Sequence, residues 1–554
     1  MQTAKKGVQL IAAICRRRGI RKVVFSPGSR SAPLVIAFSS LPDIDCIVMP
    51  DERVAGYFAL GIAQQLRQPV AVICTSGTAL LNLGPAVCEA FYQKVPLLLL
   101  TADRPEELIG IGENQAIEQD EIYRNYIKKS YSIGADESEK GGDEIVQLLS
   151  AAIDDTTTEG CGPVHVNIHL REPLYTFTEE NISASAIDEK EERSTKAIEK
   201  IPLEKKTLVV VGLMQPNEEL NKQLQQLAAF KNVVVITEST SNSSGESFVY
   251  SADSLLAALK EDEAAAFSPH LVIQIGLQVV SKRLKEFLKR NPPQLHLQIT
   301  EGTEEWNSFR AVRFRKITDA PSNFISAVLN CNTSQESDYS ERWKQKYAAT
   351  EQEKSAYLQQ VPFCDFKVFE TLVNSFPEGA HIQYGNSSPI RYSNFFTHKK
   401  GIQVNSNRGT SGIDGCVSTA AGAAYVSENL TVNIVGDVSF FYDSNALWNN
   451  NLSPNLRVII INNSGGNIFR LIDGPDKVND FEKFFETRHN LRAEHIASMY
   501  GIPYYFCDAQ KGLDDILKTF YGPQNGKPAI LEIKTDGELS AQVFKDYWKI
   551  FKPS

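Results

Sequence analysis

The chain has 554 residues, of which 42% are hydrophobic and 22% charged, with 34 Gly and 25 Pro. These proportions exclude a disordered, collagen-like or coiled-coil protein, and at about 150 residues per domain the length suits three or four domains, each able to bury a core. A net charge of −10, from 57 basic and 67 acidic residues, argues against nucleic acid or an anionic membrane as the main partner.

The first predicted element is a helix: Val8, Ile11 and Cys15 stand at helical spacing, and Gly19 ends the run. With Gln9 inside it and Arg16 to Arg18 after it, the segment is too short and too polar for a targeting sequence. Short β-rich runs then alternate with helical stretches up to residue 178. The strands expected there are Lys22–Phe25, Cys46–Met49, Val70–Cys74, Leu97–Leu100 and Val164–Ile168. Near-continuous apolar strands separated by helices predict a parallel sheet covered on both faces. From Glu179 to Lys206 half of the residues are charged, which reads as a solvated linker. A second block, residues 207–340, has expected strands at Leu208–Val211, Val233–Ile236, Leu271–Ile275 and Leu295–Ile299. The third, residues 341–554, has strands near His381–Tyr384, Val432–Val435, Val458–Ile461 and Ala529–Ile533, and a helix over Ser411–Ser427. The expected fold class is α/β, three consecutive domains with mainly parallel sheets covered by helices. The nine cysteines are scattered singly with no CxxC pair, which fits a reducing cytoplasm rather than a disulfide framework or a zinc site. No run approaches the roughly 18 apolar residues of a membrane span.

Three features carry chemistry. Asp51-Glu52-Arg53 follows an apolar strand and precedes an apolar helix, so it sits at a strand end, where open α/β sheets bind ligands. Taken alone, Glu52 reads as an acid in a helix's first turn. In Asn407-Arg408-Gly409-Thr410-Ser411-Gly412-Ile413-Asp414-Gly415, three glycines at intervals of three open a small-residue helix, Val417 to Ala424. Such a loop either lets a phosphate approach the backbone at a helix N-terminus or serves close helix packing. It is neither a Walker loop nor a GxGxxG fingerprint. Gly436-Asp437 ends one strand and Asn462-Asn463-Ser464-Gly465-Gly466 the next. In a βαβ unit these ends lie side by side, and Asp437, the Asn463 side-chain oxygen and the Gly465 carbonyl suit Mg²⁺ beside phosphate oxygens. Asp and Asn also cap helices and make turns.

Together these features resemble a thiamine diphosphate enzyme, with a pyrimidine-binding domain (1–178), a middle domain and a diphosphate-binding domain in that order. Further strings narrow the resemblance: Ser26-Pro27-Gly28-Ser29-Arg30-Ser31, Thr75-Ser76-Gly77-Thr78, Thr101-Ala102-Asp103-Arg104-Pro105, Asn114-Gln115-Ala116 and Gly385-Asn386-Ser387. They are similar to those of the menaquinone-pathway 2-succinyl-5-enolpyruvyl-6-hydroxy-3-cyclohexene-1-carboxylate (SEPHCHC) synthase family. The middle block matches mainly through Ser281-Lys282-Arg283.

The resemblance implies a transferase that uses thiamine diphosphate and Mg²⁺, or Mn²⁺ in its place. It implies decarboxylation of 2-oxoglutarate and 1,4-addition of the resulting succinyl-semialdehyde carbanion to isochorismate. Glu52 is implied to hydrogen-bond the aminopyrimidine ring nitrogen, and Ile413 to hold the cofactor bent. Thr78, Gly385, Asn386, Ser387, Gly409, Ser411, Gly412 and Phe469 are implied cofactor neighbours, and Asp437, Asn463 and Gly465 implied metal ligands. Both substrates are dicarboxylates, and Arg forks bind carboxylates bidentately. The matching positions are Arg30, Arg104, Arg283, Arg391 and Arg408 with Lys282, and Ser29, Gln115, Asn386 and Ser387 as polar partners. Ser387 and Arg391 are assigned to the 2-oxoglutarate carboxylate, Arg30 and Lys282 to isochorismate. In this superfamily Glu of one subunit meets the cofactor of another, so the expected minimum is a homodimer and the expected assembly a homotetramer. Two positions depart from the pattern. Val438 follows Asp437 where many thiamine diphosphate enzymes have Gly. Arg470 stands where a small residue is expected, and either adds a substrate contact or faces solvent. The rival readings are another thiamine diphosphate-dependent 2-oxoacid decarboxylase or carboligase, with an apolar acceptor pocket, and a non-catalytic metabolite-binding homologue.

Overall fold

A computed structural model describes residues 2–136, 142–180, 201–472 and 474–551; residues 181–200 of the expected linker lie outside them. Three six-stranded sheets, all parallel, follow one another along the chain. The first uses Lys22–Phe25, Asp45–Val48, Val70–Cys74, Leu97–Asp103, Ser130–Gly134 and Val164–His169. The second uses Thr207–Val211, Val233–Thr237, Val249–Tyr250, Leu271–Ile275, Leu295–Thr300 and Arg313–Thr318. The third uses His381–Tyr384, Gln403–Ser406, Thr431–Gly436, Leu456–Asn462, Tyr504–Cys507 and Ala529–Lys534. Central strands such as Val70–Cys74 and Leu456–Asn462 are buried at every residue, because helices cover both faces.

Numbered in chain order within each sheet, the first and third sheets share the order 2-1-3-4-6-5, while the second runs 3-2-1-4-5-6. The order reverses beside the first strand of each sheet, and ligands bind outside the carboxyl ends at such a reversal. In the third sheet that crevice opens between Tyr384 and Gly436.

The first and third blocks share one buried core. Helix Glu52–Leu66 of the first crosses helix Cys416–Val426 of the third, and each presents a glycine to the other's backbone. A Cβ on Gly61 would lie 2.0 Å from Thr419 O, and one on Gly422 would lie 1.9 Å from Phe58 O. The helix expected over Ser411–Ser427 begins only at Cys416. Ser411 has φ 64, off the helical path, so the stretch 409–415 is a loop.

Candidate active site

The carboxyl edge of the third sheet encloses a cavity of about 320 Å³ lined by Asn386, Ser387, Ile413, Asp437, Asn463, Gly465 and Phe469, with Asp365, Phe485 and Thr487. That volume is in the range of small-ligand sites, ~300–1,000 Å³. Asn386 follows the first strand and is buried; its Nδ2 donates to Asn407 O at 2.5 Å and Gly412 O at 2.6 Å, which pins the loop carrying Ile413. Gly385 lies just behind the wall, where a Cβ would meet Val435 Cγ1 at 2.8 Å.

Asp437 follows the third strand. Its Oδ1 accepts from Val438 N at 2.7 Å and its Oδ2 from Gly465 N at 2.9 Å. Asn463 Nδ2 donates to Asp365 Oδ2 at 2.9 Å, and Asn463 Oδ1 is left buried without a hydrogen-bond partner. A buried acceptor left unsatisfied costs ~1–3 kcal/mol, which a bound cation offsets. The Gly465 carbonyl accepts from Asn467 N at 2.9 Å and keeps a second lone pair. One carboxylate, one orphaned amide oxygen and one carbonyl are the hard donors that Mg²⁺ takes, so these residues fit a Mg²⁺–diphosphate group. Among the described residues no cluster of three or more His, Cys, Asp or Glu side chains could hold a metal.

The first two amides of the glycine loop are already engaged. Gly409 N and Thr410 N each donate to the Glu89 carboxylate at 2.7 Å. Of that loop Ile413 lines the cavity, whereas Gly409, Ser411 and Gly412 do not. Asp51 Oδ1 caps the helix that Glu52 opens, accepting from Arg53 N at 2.9 Å. Asp51 Oδ2 also accepts from Asn445 Nδ2 at 2.9 Å, and Arg53 Nη2 donates to Tyr442 O at 3.0 Å. Both neighbours are thus tied to the third block, while the Glu52 carboxylate is half-buried and makes no side-chain hydrogen bond or ion pair among the described residues. Thr78 begins helix Thr78–Gln93 after Gly77, whose φ is 84. Neither Glu52 nor Thr78 lines the cavity of its own chain.

Residues 5–125 match the family model described as thiamine pyrophosphate enzyme, N-terminal TPP binding domain. Residues 178–382 match the middle domain of thiamine pyrophosphate, and residues 387–533 the C-terminal TPP binding domain. A 2-succinyl-5-enolpyruvyl-6-hydroxy-3-cyclohexene-1-carboxylate synthase of Flavobacterium johnsoniae is 38% identical over 98% of each chain. Proteins of the same name are 34% identical in Bacteroides thetaiotaomicron, over all of both chains, and in Desulfotalea psychrophila, over 96% of this chain and 99% of that one. The chain belongs to this synthase family.

The cations expected from the SEPHCHC synthase family fall into two groups. Arg391 and Arg408 stand beside the cavity: Arg391 Nη1 donates to Ser387 O at 2.5 Å, and Arg408 Nη1 reaches Asn386 Oδ1 at 3.4 Å. Burial disfavours the Arg408 charge, and the Glu238 and Glu89 carboxylates favour it. The others are elsewhere. Arg30 is buried against Leu170 O at 2.8 Å and Glu172 at 3.0 Å, and Arg104 donates to Asn114 O at 2.6 Å. Ser29 and Gln115 are exposed. The Lys282 side chain is 84% exposed, 3.6 Å from Glu286, and the Arg283 guanidinium lies 4.0 Å over the Trp548 ring.

Sequence reasoning missed Asp365, whose Oδ1 accepts from Thr535 Oγ1 at 2.6 Å; burial pushes its pKa up against the hydrogen bonds from Thr535 and Asn463. It also missed Glu89. Each stands in a helix, where an acid is unremarkable. A larger cavity, about 570 Å³, lies between the middle sheet and residues 397–404 and contains none of the residues expected at the site.

Proposed function

We propose that the chain decarboxylates 2-oxoglutarate and joins the four-carbon fragment to isochorismate by 1,4-addition. It is a thiamine diphosphate- and Mg²⁺-dependent transferase of menaquinone biosynthesis. One observation carries the assignment of the site: the unpartnered Asn463 Oδ1 shares a cavity with Asp437, Gly465 and Ile413 in a chain that resembles the synthases along its whole length. Bound thiamine diphosphate supplies the nucleophilic carbon and the electron sink, so no nucleophilic side chain is required.

The protein binds and orients. Asp437, Asn463 and Gly465 would hold Mg²⁺, and Ile413 would give apolar support to the cofactor. Glu52 would present its carboxyl to the aminopyrimidine ring nitrogen. Arg391 and Arg408 receive substrate carboxylates, as guanidinium forks do. Glu52 does not line its own chain's cavity, so the active unit is read as a homodimer, or a tetramer of two such dimers, in which a second copy supplies it. A cytoplasmic location accords with nine cysteines that are all free thiols.

The test follows loss of the isochorismate diene absorbance with purified protein, thiamine diphosphate, Mg²⁺ and 2-oxoglutarate. Glu52→Gln is expected to lower turnover by about 10²–10⁴ while cofactor still binds, as for loss of a positioned proton-handling group. Carbon dioxide release without isochorismate loss would leave a different acceptor. Failure to bind cofactor would leave a metabolite-binding homologue.

A further inference from the structure

Arg470 neither contacts the cavity nor faces open solvent. Its Nε donates to Glu486 Oε1 at 2.5 Å and its Nη2 to Glu486 Oε2 at 2.7 Å, a bidentate pair, and Nη2 also reaches Glu482 Oε1 at 3.2 Å. The guanidinium lies 5.2 Å over the Phe481 ring. The Glu486 side chain is 5% exposed and that of Arg470 19%. A carboxylate that deep needs a partner, and Arg470 is its guanidinium; Arg488 turns instead to Glu482 at 3.0 Å and Glu538 at 3.5 Å.

The pair holds down a strap, residues 481–489, that contains a π-helical turn, Glu482–Glu486. The strap lies against the loop of candidate metal ligands. Gly466 N donates to Glu486 O at 2.6 Å and His489 N to Ser464 O at 3.1 Å. Gly465 approaches so closely that a Cβ there would sit 2.6 Å from Glu486 O. Phe485 and Thr487 line the cavity, and Phe485 meets Phe469 edge-on at 5.8 Å. His489 Nδ1 accepts from Leu491 N at 3.2 Å, and its buried Nε2 stands 3.4 Å from Asp437 Oδ2 without a hydrogen-bond partner.

We propose that Arg470 is a positioning residue for cofactor and metal. Through its two-pronged bond to Glu486 it clamps the strap across the cavity, and the strap in turn fixes the Gly465 carbonyl, the His489 ring behind Asp437 and the Phe469–Phe485 wall. The inference rests on the reading of this cavity as the thiamine diphosphate–Mg²⁺ site. The fork matters as well as the charge: an ammonium makes a point contact and does not set the angle of the partner carboxylate.

The experiment titrates thiamine diphosphate into the full chain by calorimetry at fixed Mg²⁺, and follows tryptic cleavage after Lys477 and Lys483 with and without cofactor. Arg470→Ala is expected to weaken cofactor binding by about tenfold or more, the scale on which groups that orient metal ligands act. It should also speed cleavage at both lysines, and raise the cofactor concentration for half-maximal turnover by a larger factor than it lowers kcat. Glu486→Gln should do the same, and the double variant should bind no worse than the weaker single one, because both remove one clamp. Arg470→Lys covers the case in which Arg470→Ala does not fold, and is expected to bind weakly despite its charge. Unaltered affinity in these variants, or additive losses in the double one, would overturn the proposal. Asp437→Ala separates the two levels. If it abolishes binding while Arg470→Ala changes nothing, the clamp alone fails; if it binds normally, the cavity is not the cofactor site and the clamp fails with it.

Discussion

Burial holds Asp443 at about 7, although Ser418 donates to it from N at 2.7 Å and from Oγ at 2.6 Å, with Arg53 3.9 Å away. The folded chain therefore keeps a proton that the unfolded chain releases at the ordinary aspartate value of 3.8. Stability is highest below that value, falls as pH rises to about 7, and is flat in this respect above it. Asp443→Asn mimics the neutral form. Its melting temperature should exceed that of the unaltered chain at pH 8, with the gap closing toward pH 5; an equal gap at both would refute the assignment. Glu238, also raised to about 7 by burial, titrates in the same direction, so part of the pH dependence persists in the variant. Asp443 also marks where the sequence stops being legible. Glu52, Asp437 and Asn463 could be picked out because each ends or follows an apolar run. Asp365, Asp443 and Glu486 could not, since their partners lie outside any local motif: 98 residues separate Asn463 from Asp365, 25 separate Ser418 from Asp443 and 16 separate Arg470 from Glu486. Spacing in sequence carries no trace of such a meeting.

The same limit has a regular form at the level of elements. In the three large sheets, the strands the sequence reading lacks are Ser130–Gly134, Val249–Tyr250, Arg313–Thr318, Gln403–Ser406 and Tyr504–Cys507, and every one is a sheet edge. A central parallel strand is buried on both faces and reads as an apolar run, whereas the edge strand Arg313–Thr318 carries Arg313, Arg315 and Lys316, the edge strand Gln403–Ser406 is polar at all but Val404, and Val249–Tyr250 is too short to read as a run. The glycine loop illustrates the converse. Its spacing is visible in the sequence, but the partner of its first amides, the Glu89 carboxylate 320 residues away, is not. Close packing governs Gly422, whose added Cβ would strike the Phe58 carbonyl. An ordinary helix-interior Gly→Ala change stabilises by roughly 0.5–1 kcal/mol. Gly422→Ala should instead destabilise by about 1–3 kcal/mol, the usual cost of overpacking. Urea unfolding reads the sign directly, and a stabilised variant would show that the two helices separate without cost.

At the scale of the molecule, the first and third sheets have one topology, and the helix after the second strand of each packs on its counterpart. The two crevices are then related as well: Ser26 to Arg30 and Thr75 to Thr78 border the first as Gly385 to Ser387 and Asp437 border the third. Within one chain the acid of the first block and the cavity of the third do not share a lining. A two-fold dimer would supply Glu52 of each copy to the cavity of the other, giving two identical composite sites. That arrangement has a consequence no single-chain site shares. Glu52→Gln and Asp437→Ala homodimers are both expected to be inactive. In a mixed dimer one site carries both lesions and the other carries neither. Coexpressed at equal levels with random pairing, the two variants should restore roughly a quarter of the unaltered activity, because half of the dimers are mixed and each has one intact site. Tandem tags allow the mixed species to be purified, which should raise the figure to about half. A site built within one chain gives no recovery in either preparation, since every chain then carries a lesion in its own site.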